Sequence, residues 1–503
     1  MMTYYDFMNE ITSTELYERL VQYGMFSEKL PPIFTAKPFL NYCTNTRTQA
    51  FEDRWYPYAV YENVRNINIP RNIGIPTPMG HERLCKCLSD NWDKIVEHFR
   101  TTTVNQKRIV SRIHIRKMYH TDALFEMNYK NWRIDGTPEP DIYIGKRYMV
   151  SADISKCYPS IYTHAIPWAL VGKETAKSTA NDDSLWYNGI DRHTQRAKNG
   201  ETHGILIGPH TSNILSEIIL CAIDSKLSAR WDYVRNIDDY SCFVESKEDA
   251  EMFLIELNRE LREYDLLLNH KKTEIKELPI GIVEQWVHKV QDKVAFFQKD
   301  KSYVDYKETQ AFVDFCISLM NENNDNSSIL FYALKVLREF TLTKNAQQYI
   351  SKSIVALSLI YSYLVPLLDE YIFEPYQLGV DAIKDYTNRI YDNYFCKDNY
   401  EACAYSILFA IKYNFTIDNF DLDKIIEKKD CVLLLLALLY CKKIKWRSGV
   451  TKLKKFAKEL IANNQMEEYW LFVYECLPSE LLQQDWVQMK KAKVSFIKNE
   501  YKA

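Results

Sequence analysis

Residues 148–160 read Tyr-Met-Val-Ser-Ala-Asp-Ile-Ser-Lys-Cys-Tyr-Pro-Ser, an apolar strand ending on Asp153 with an aromatic residue, Tyr158, five positions later. A buried strand prefers Val or Ile where this one carries a carboxylate. The anomaly recurs at 234–244, Val-Arg-Asn-Ile-Asp-Asp-Tyr-Ser-Cys-Phe-Val, where Asp238 and Asp239 interrupt apolar sequence. Between these stretches, residues 211–230 carry apolar side chains at helical spacing, and residues 250–264 do so after them. Strands alternating with helices predict an α+β fold. Adjacent carboxylates repel one another, and burying them without a counter-ion is costly. A hairpin tip that turns Asp238 and Asp239 toward Asp153, with Mg²⁺ between, removes that cost.

Such an arrangement has a known chemistry. Two divalent ions about 3.5–4 Å apart activate an attacking hydroxyl and stabilise a leaving pyrophosphate. Mg²⁺, or Mn²⁺ in its place, prefers carboxylate oxygens and takes further ligands from substrate phosphates. Asp153 and Asp238 are expected to bridge both ions, with Asp239 as the weaker or outer ligand. Taken singly, each residue has an ordinary explanation: an Asp at a strand end commonly caps a turn, and Asp182-Asp183 reads as a loop pair. The order and spacing of three segments point further. The third is residues 203–212, His-Gly-Ile-Leu-Ile-Gly-Pro-His-Thr-Ser, a glycine-bearing loop entering a helix.

The rest of the chain bounds this reading. At 503 residues it is long enough for two or three domains, since one core rarely exceeds about 250–300 residues. Eleven of 13 glycines and 13 of 16 prolines precede residue 300, so the remainder is expected to form long helices joined by short turns. Residues 333–340, 351–368, 400–413 and 431–440 have helical length and dense apolar content. The expected division is 1–295, a mixed α/β unit, and 296–503, an all-α unit of stacked, HEAT-like helical hairpins. A net charge of −3 disfavours a large, permanently occupied duplex channel without excluding local basic patches. The twelve cysteines show no CxxC spacing, the first ten residues show no secretory pattern, and the apolar run 432–440 is too short to span a bilayer. A reduced, cytoplasmic protein with no membrane segment is expected.

These motifs resemble the reverse transcriptases, and among them the abortive-infection (Abi) polymerases of bacterial phage defence, including prophage-encoded types. The strongest stretch is residues 153–168, Asp-Ile-Ser-Lys-Cys-Tyr-Pro-Ser-Ile-Tyr-Thr-His-Ala-Ile-Pro-Trp, with Gly172-Lys173 close behind. Thr202-His-Gly-Ile205 is similar to the family's second motif, Asp238-Asp239 to its third and Leu268-Asn-His-Lys-Lys-Thr273 to its fourth. The resemblance covers roughly residues 55–280 and implies fingers and palm. It implies that Tyr158 screens the sugar 2′ carbon and selects deoxynucleotides, and that Lys272 stands near the leaving pyrophosphate. Ile154 is assigned with Asp153 to the metal and the nucleotide, and Gly208 to the nucleotide.

Two departures stand out. Leu206-Ile207 replaces the usual Pro-Gln of the second motif, and Asn236 stands where Tyr or Phe is usual. Both weaken the case for faithful copying. The Abi likeness implies template-independent addition of dNTPs, primed by a protein tyrosine, with single-stranded DNA as product and a homo-oligomer as the working form. Tyr4, Tyr5, Tyr17 and Tyr42 are plausible primers, and none is singled out. An RNA-templated reverse transcriptase of retron type is the alternative, and a non-catalytic palm-fold scaffold in a defence complex the second.

Two basic runs remain. Residues 107–117 hold five Lys or Arg with apolar residues between, an alternation expected to aim Lys107 and Arg112 at an incoming triphosphate. Residues 442–458 hold eight, which reads either as a product path or as a solvated helix face.

Overall fold

The computed structural model describes residues 4–64, 70–112, 114–117, 125–126, 139–281, 284–295 and 303–502. An antiparallel hairpin of β1 (Tyr58–Val64) and β2 (Pro70–Pro76) precedes a four-stranded sheet. That sheet contains β3 (Tyr148–Asp153), β4 (Tyr233–Asn236), β5 (Asp239–Val244) and β6 (Glu274–Glu277), in the order β4-β5-β3-β6 with every pair antiparallel. Residues 110–112 extend the β4 edge: the amide of Arg112 donates to the carbonyl of Arg235 (2.8 Å) and that of Arg235 to Val110 (2.9 Å). The expected α+β character of this part is present.

Period-two alternation gives the sheet two different faces. Val150, Ala152, Tyr240, Cys242 and Val244 enter the main core, beside helix α1 (His210–Leu227) and helix α2 (Lys247–Glu263). On the other face Met149 and Phe243 join a small cluster with Ile142 and Val234. Further along that same face come the register pairs Ser151↔Ser241 and Asp153↔Asp239. Serines are too small to cover the surface next to the two acids, so this end of the sheet is left open.

After residue 303 the described residues form helices and no named strand. The expected helix at 400–413 is present as Tyr400–Tyr413, and the run at 431–440 as Cys431–Lys443. The latter is buried from Cys431 to Cys441, apolar on every side, and so occupies the middle of the helical layer. The expected continuous helix at 351–368 is corrected: Lys344–Ser358 is α-helical, and Ser362–Leu367 is a 3₁₀ turn containing Pro366. Proline supplies no N–H and clashes with the preceding turn, so an α-helix cannot run through it. The freed carbonyls of Ser358 and Leu359 accept from Tyr394 Oη (2.6 Å) and Asn393 Nδ2 (3.0 Å) instead. The segment expected at 333–340 lies partly in Ser328–Leu337, which begins and ends earlier. The expected division after residue 295 meets residues 296–302, which lie outside the described residues.

The helical layer is packed on the mixed part of the chain, and one buried apolar cluster runs through both. Trp470 donates its indole N–H to the carbonyl of Ile75 on β2 (3.3 Å), and Glu467 receives the guanidinium of Arg54. Glu401 accepts from the amides at the end of β1. No described helix is long and apolar enough to cross a membrane.

Candidate active site

Asp153 closes β3, and Asp239 opens β5 directly across from it. Asp238 occupies the two-residue turn between β4 and β5, and its carbonyl accepts the amide of Ile154 (3.1 Å). The turn requires φ of +59° at Ile237, a conformation that a β-branched side chain rarely adopts. Strain of this kind costs on the order of 1–3 kcal/mol and persists only where the surroundings impose it.

Arg235 supplies that restraint. It is fully buried, and its guanidinium donates to the carbonyl of Ile237 (2.9 Å). Its other donors reach Asp224 (2.6 and 2.8 Å) and Glu217 (3.1 and 3.2 Å), both buried on α1. Tyr233 Oη also donates to Asp224 (2.8 Å). The Ile237–Asp238 turn is thereby tied to the core helix by one cation between two carboxylates.

Ligand oxygens of Asp153, Asp238 and Asp239 lie within 4.8 Å of one another. Asp153 is buried, Asp238 half-buried and Asp239 exposed, so the cluster opens outward from the sheet. Burial first, and then the Asp153 carboxylate, hold Asp238 above the usual carboxylate range. Asp239 is raised as well, by burial, by a hydrogen bond with Asp153 and by the charges of both neighbours. Lys272 Nζ stands 3.1 Å from Asp153 Oδ1, and Asn269 Nδ2 donates to Asp153 Oδ2 (2.8 Å). One exposed lysine among three carboxylates leaves net negative charge. Three hard oxygen donors in this arrangement fit Mg²⁺ or Mn²⁺.

The other expected residues lie at varied positions around this cluster. Ile154 follows Asp153 and is buried, with its backbone bonded to the Asp238 turn. Tyr158 is half-buried and donates its hydroxyl to Asn213 Oδ1 of α1 (2.7 Å). Its carbonyl accepts the amide of Ile205 (2.9 Å), which joins the first motif to the second. Gly208, at φ +128°, backs onto the β1–β2 hairpin: a Cβ there would meet Ile73 Cγ2 at 2.9 Å. Gly204, at φ +78°, is pressed against Pro159, where a Cβ would meet the carbonyl oxygen at 2.8 Å. Leu206-Ile207, standing in place of Pro-Gln, docks on the same hairpin: the carbonyl of Ile207 accepts from Gly74 (2.8 Å), and Leu206 packs where a Gly74 side chain would be.

The basic run of 107–117 divides. Lys107 is exposed, whereas Arg112 is buried beside β4. Arg116 lies over the ring of Phe7 (5.6 Å), and Lys117 pairs with Glu15. In the second run all eight basic residues are exposed around helix Arg447–Ala462, and Lys452 pairs with Asp423.

Sequence reasoning missed three contributors. Asn269 sits three residues before Lys272, and a turn (Lys272 amide to Asn269 carbonyl, 3.0 Å) puts both on Asp153. The motif spacing could have suggested it. Arg235 carries no local signal, because its partners are on a different element. Arg71 of β2 lies close enough that its positive charge opposes the rise in the pKa of Asp238.

With this geometry in view, the sequence model of the family "Reverse transcriptase (RNA-dependent DNA polymerase)" matches residues 91–339, a span that includes all three acids. The chain contains a reverse-transcriptase domain. Such a domain implies a nucleotidyltransferase that uses divalent metal ions, and the Asp cluster is where this chain can hold them. No curated protein sequence matches the chain. Among solved structures, apo telomerase from Candida tropicalis is similar at 11% identity and a TM-score of 0.32, covering 91% of this chain and 76% of that one. Telomerase from Candida albicans in complex with a fragment of telomeric RNA is similar at 11% identity and a TM-score of 0.28, covering 70% of this chain and 64% of that one. Scores this low carry no weight for what this chain does.

Proposed function

We propose that this reverse-transcriptase-domain protein is a DNA polymerase of phage defence, adding dNTPs without a template onto a tyrosine of the protein itself. The observation that carries the nucleotidyl-transfer part is the convergence of Asp153, Asp238 and Asp239 on one open end of the sheet, their oxygens within 4.8 Å. Two divalent ions bound there would supply a Lewis-acid clamp on the attacking and leaving oxygens. The three carboxylates would hold the ions, and Lys272 adds a cation beside Asp153. Tyr158, fixed through Asn213, presents a ring that excludes a ribose hydroxyl.

The template-independent part is supported by the second motif. Leu206 packs against the hairpin and Ile207 is bonded to it through its carbonyl, and neither side chain can hydrogen-bond a nucleotide. The phage-defence part rests on the resemblance of residues 153–173 to the Abi polymerases. Of the tyrosines near the N-terminus, Tyr17 donates to buried Glu82 (2.8 Å) and Tyr42 is buried, whereas Tyr5 is half-buried at the surface. Priming from Tyr17 or Tyr42 therefore requires its helix to move.

The test is incubation with Mg²⁺ and each dNTP, without template, followed by gel analysis with and without protease. Protease-sensitive, protein-linked DNA is expected, with the tyrosine located by mass spectrometry. Asp238→Ala, still folded, is expected to lose all incorporation. Product that copies an added RNA template would support the retron-type reading instead, and no incorporation by the wild-type chain would support the scaffold.

A further inference from the structure

Three basic side chains converge on a single carboxylate oxygen at the surface of the mixed part of the chain. Asp53, in the irregular segment before β1, places Oδ1 2.9 Å from Arg83 Nη2 and 3.9 Å from His193 Nδ1, and in direct ion-pair contact with Arg196. Arg83 comes from helix Pro78–Asp90, and His193 and Arg196 from the last turn of helix Trp186–Arg196, which packs against it. The three basic side chains are mostly buried, whereas that of Asp53 is 40% exposed. The carboxylate therefore fills the cradle from the solvent side.

It fills it incompletely. Nε and Nη2 share the edge of a guanidinium that takes a carboxylate or phosphate through two parallel bonds. Asp53 uses only Nη2 of Arg83; Arg83 Nε and His193 Nδ1 are buried without a hydrogen-bond partner among the described residues. Buried donors left unpaired are costly. Burial, and then the charge of Arg83, hold His193 down at about 4, so it is neutral at pH 7 and two guanidiniums face one carboxylate. The neighbouring Arg192 is paired with Asp183 (2.5 Å) and leaves that surplus of positive charge unchanged. The cradle is also held independently of the Asp53 side chain: the carbonyl of Phe51 accepts from Arg83 Nη1, and that of Arg196 accepts the amide of Tyr56 (2.8 Å).

We propose that Arg83, His193 and Arg196 form a phosphate-binding site, sharing no residue with the carboxylate cluster, in which Asp53 is an internal competitor. A phosphate group offers more acceptor oxygens than one carboxylate, and can take Nε, Nη2 and an imidazole N–H together. Free polyphosphate and a nucleic-acid backbone both carry this chemistry. The proposal goes beyond the nucleotidyl-transfer reading and does not depend on it.

The full chain is titrated with pyrophosphate and, separately, with an oligothymidylate lacking terminal phosphates, without divalent metal so that the three aspartates repel both probes. Asp53→Asn is expected to bind about tenfold more tightly than wild type, as when Asp53 fills the cradle in roughly nine molecules of ten. Adding Arg83→Gln to Asp53→Asn is expected to remove the gain. A gain for pyrophosphate alone assigns the site to free polyphosphate, and a gain for the oligonucleotide assigns it to a nucleic-acid backbone. Equal affinity of wild type and Asp53→Asn for both probes, or a gain that survives Arg83→Gln, overturns the proposal. The wild-type chain gives a second readout that needs no variant to fold. Saturating probe is expected to protect Arg83 and Arg196 from phenylglyoxal, as mapped by mass spectrometry, and to leave exposed Arg230 reactive. Equal modification of Arg83 and Arg196 with and without either probe overturns the proposal as well.

Discussion

Asp153 and Asp239 are register partners on adjacent antiparallel strands, so the fold sets two carboxylates side by side on one face of the sheet. Like charges directly opposite destabilise a sheet by roughly 0.2–1 kcal/mol. Asp239→Asn is therefore expected to raise the melting temperature of the metal-free protein while abolishing nucleotide incorporation. Mg²⁺ is expected to raise the melting temperature of the wild type and leave the variant nearly unchanged. Thermal melts with and without Mg²⁺ check this, and equal Mg²⁺ responses would move the ion elsewhere.

Arg235 ties the Asp238 turn to α1 through buried Asp224 and Glu217. Arg235→Met leaves two carboxylates without their cation, and breaking a buried pair from one side costs about 3–5 kcal/mol. The combination of Arg235→Met with Asp224→Asn and Glu217→Gln is expected to recover most of that stability in urea titrations. Because the Ile237 carbonyl still loses its donor, incorporation is expected to stay impaired. Full recovery of activity would reduce Arg235 to a packing role.

Tyr158 is fixed by its bond to Asn213, and in the proposed function its ring rather than its hydroxyl would face a sugar. Tyr158→Ala is expected to shift the ratio of ribonucleotide to deoxynucleotide incorporation by about tenfold or more, the discrimination that one pocket group typically supplies. Parallel assays with rNTPs and dNTPs measure it. Tyr158→Phe keeps the ring and is expected to keep the selectivity.

Burial pushes the carboxyls of Glu401 and Asp430 up to about 7, with the hydrogen bonds from Val64 and Asn63 opposing the shift at Glu401 and Glu62 adding to it at Asp430. A carboxyl whose folded pKa is raised holds its proton more tightly when folded. Its stabilising contribution is complete below the ordinary carboxylate pKa and is lost as pH rises through about 7. At roughly 1.4 kcal/mol per unit, each group accounts for a loss on the order of 3 kcal/mol between pH 4 and pH 8. Glu401→Gln removes one of them, so the stability of the variant relative to wild type is expected to increase as pH rises across that window. Melting temperatures from pH 5 to pH 8 test the sign.

How far the chain could be read in one dimension follows from the range over which its features act. The misplaced acids at 153, 238 and 239, the glycine-bearing loop at 203–212 and the helical spacing of 211–230 are local patterns. Strand alternation and helix period are properties of a few consecutive residues, and a carboxylate inside either one is visible as an exception. Sequence alone therefore determined the carboxylate set, the α+β character of the first part and the helical character of the second. The tertiary structure decided what stands around the acids. Ser151 and Ser241 leave the face open only because the strands pair in this register. Arg112, basic and expected at the site, is buried beside β4, while Arg71 on a separate hairpin supplies charge near Asp238. Arg235 meets Glu217 and Asp224, and Glu401 meets Asn63, across sequence separations no periodicity spans. Those contacts exist because apolar burial packs distant segments together, and a buried charge then takes whichever partner that packing brings within hydrogen-bond reach.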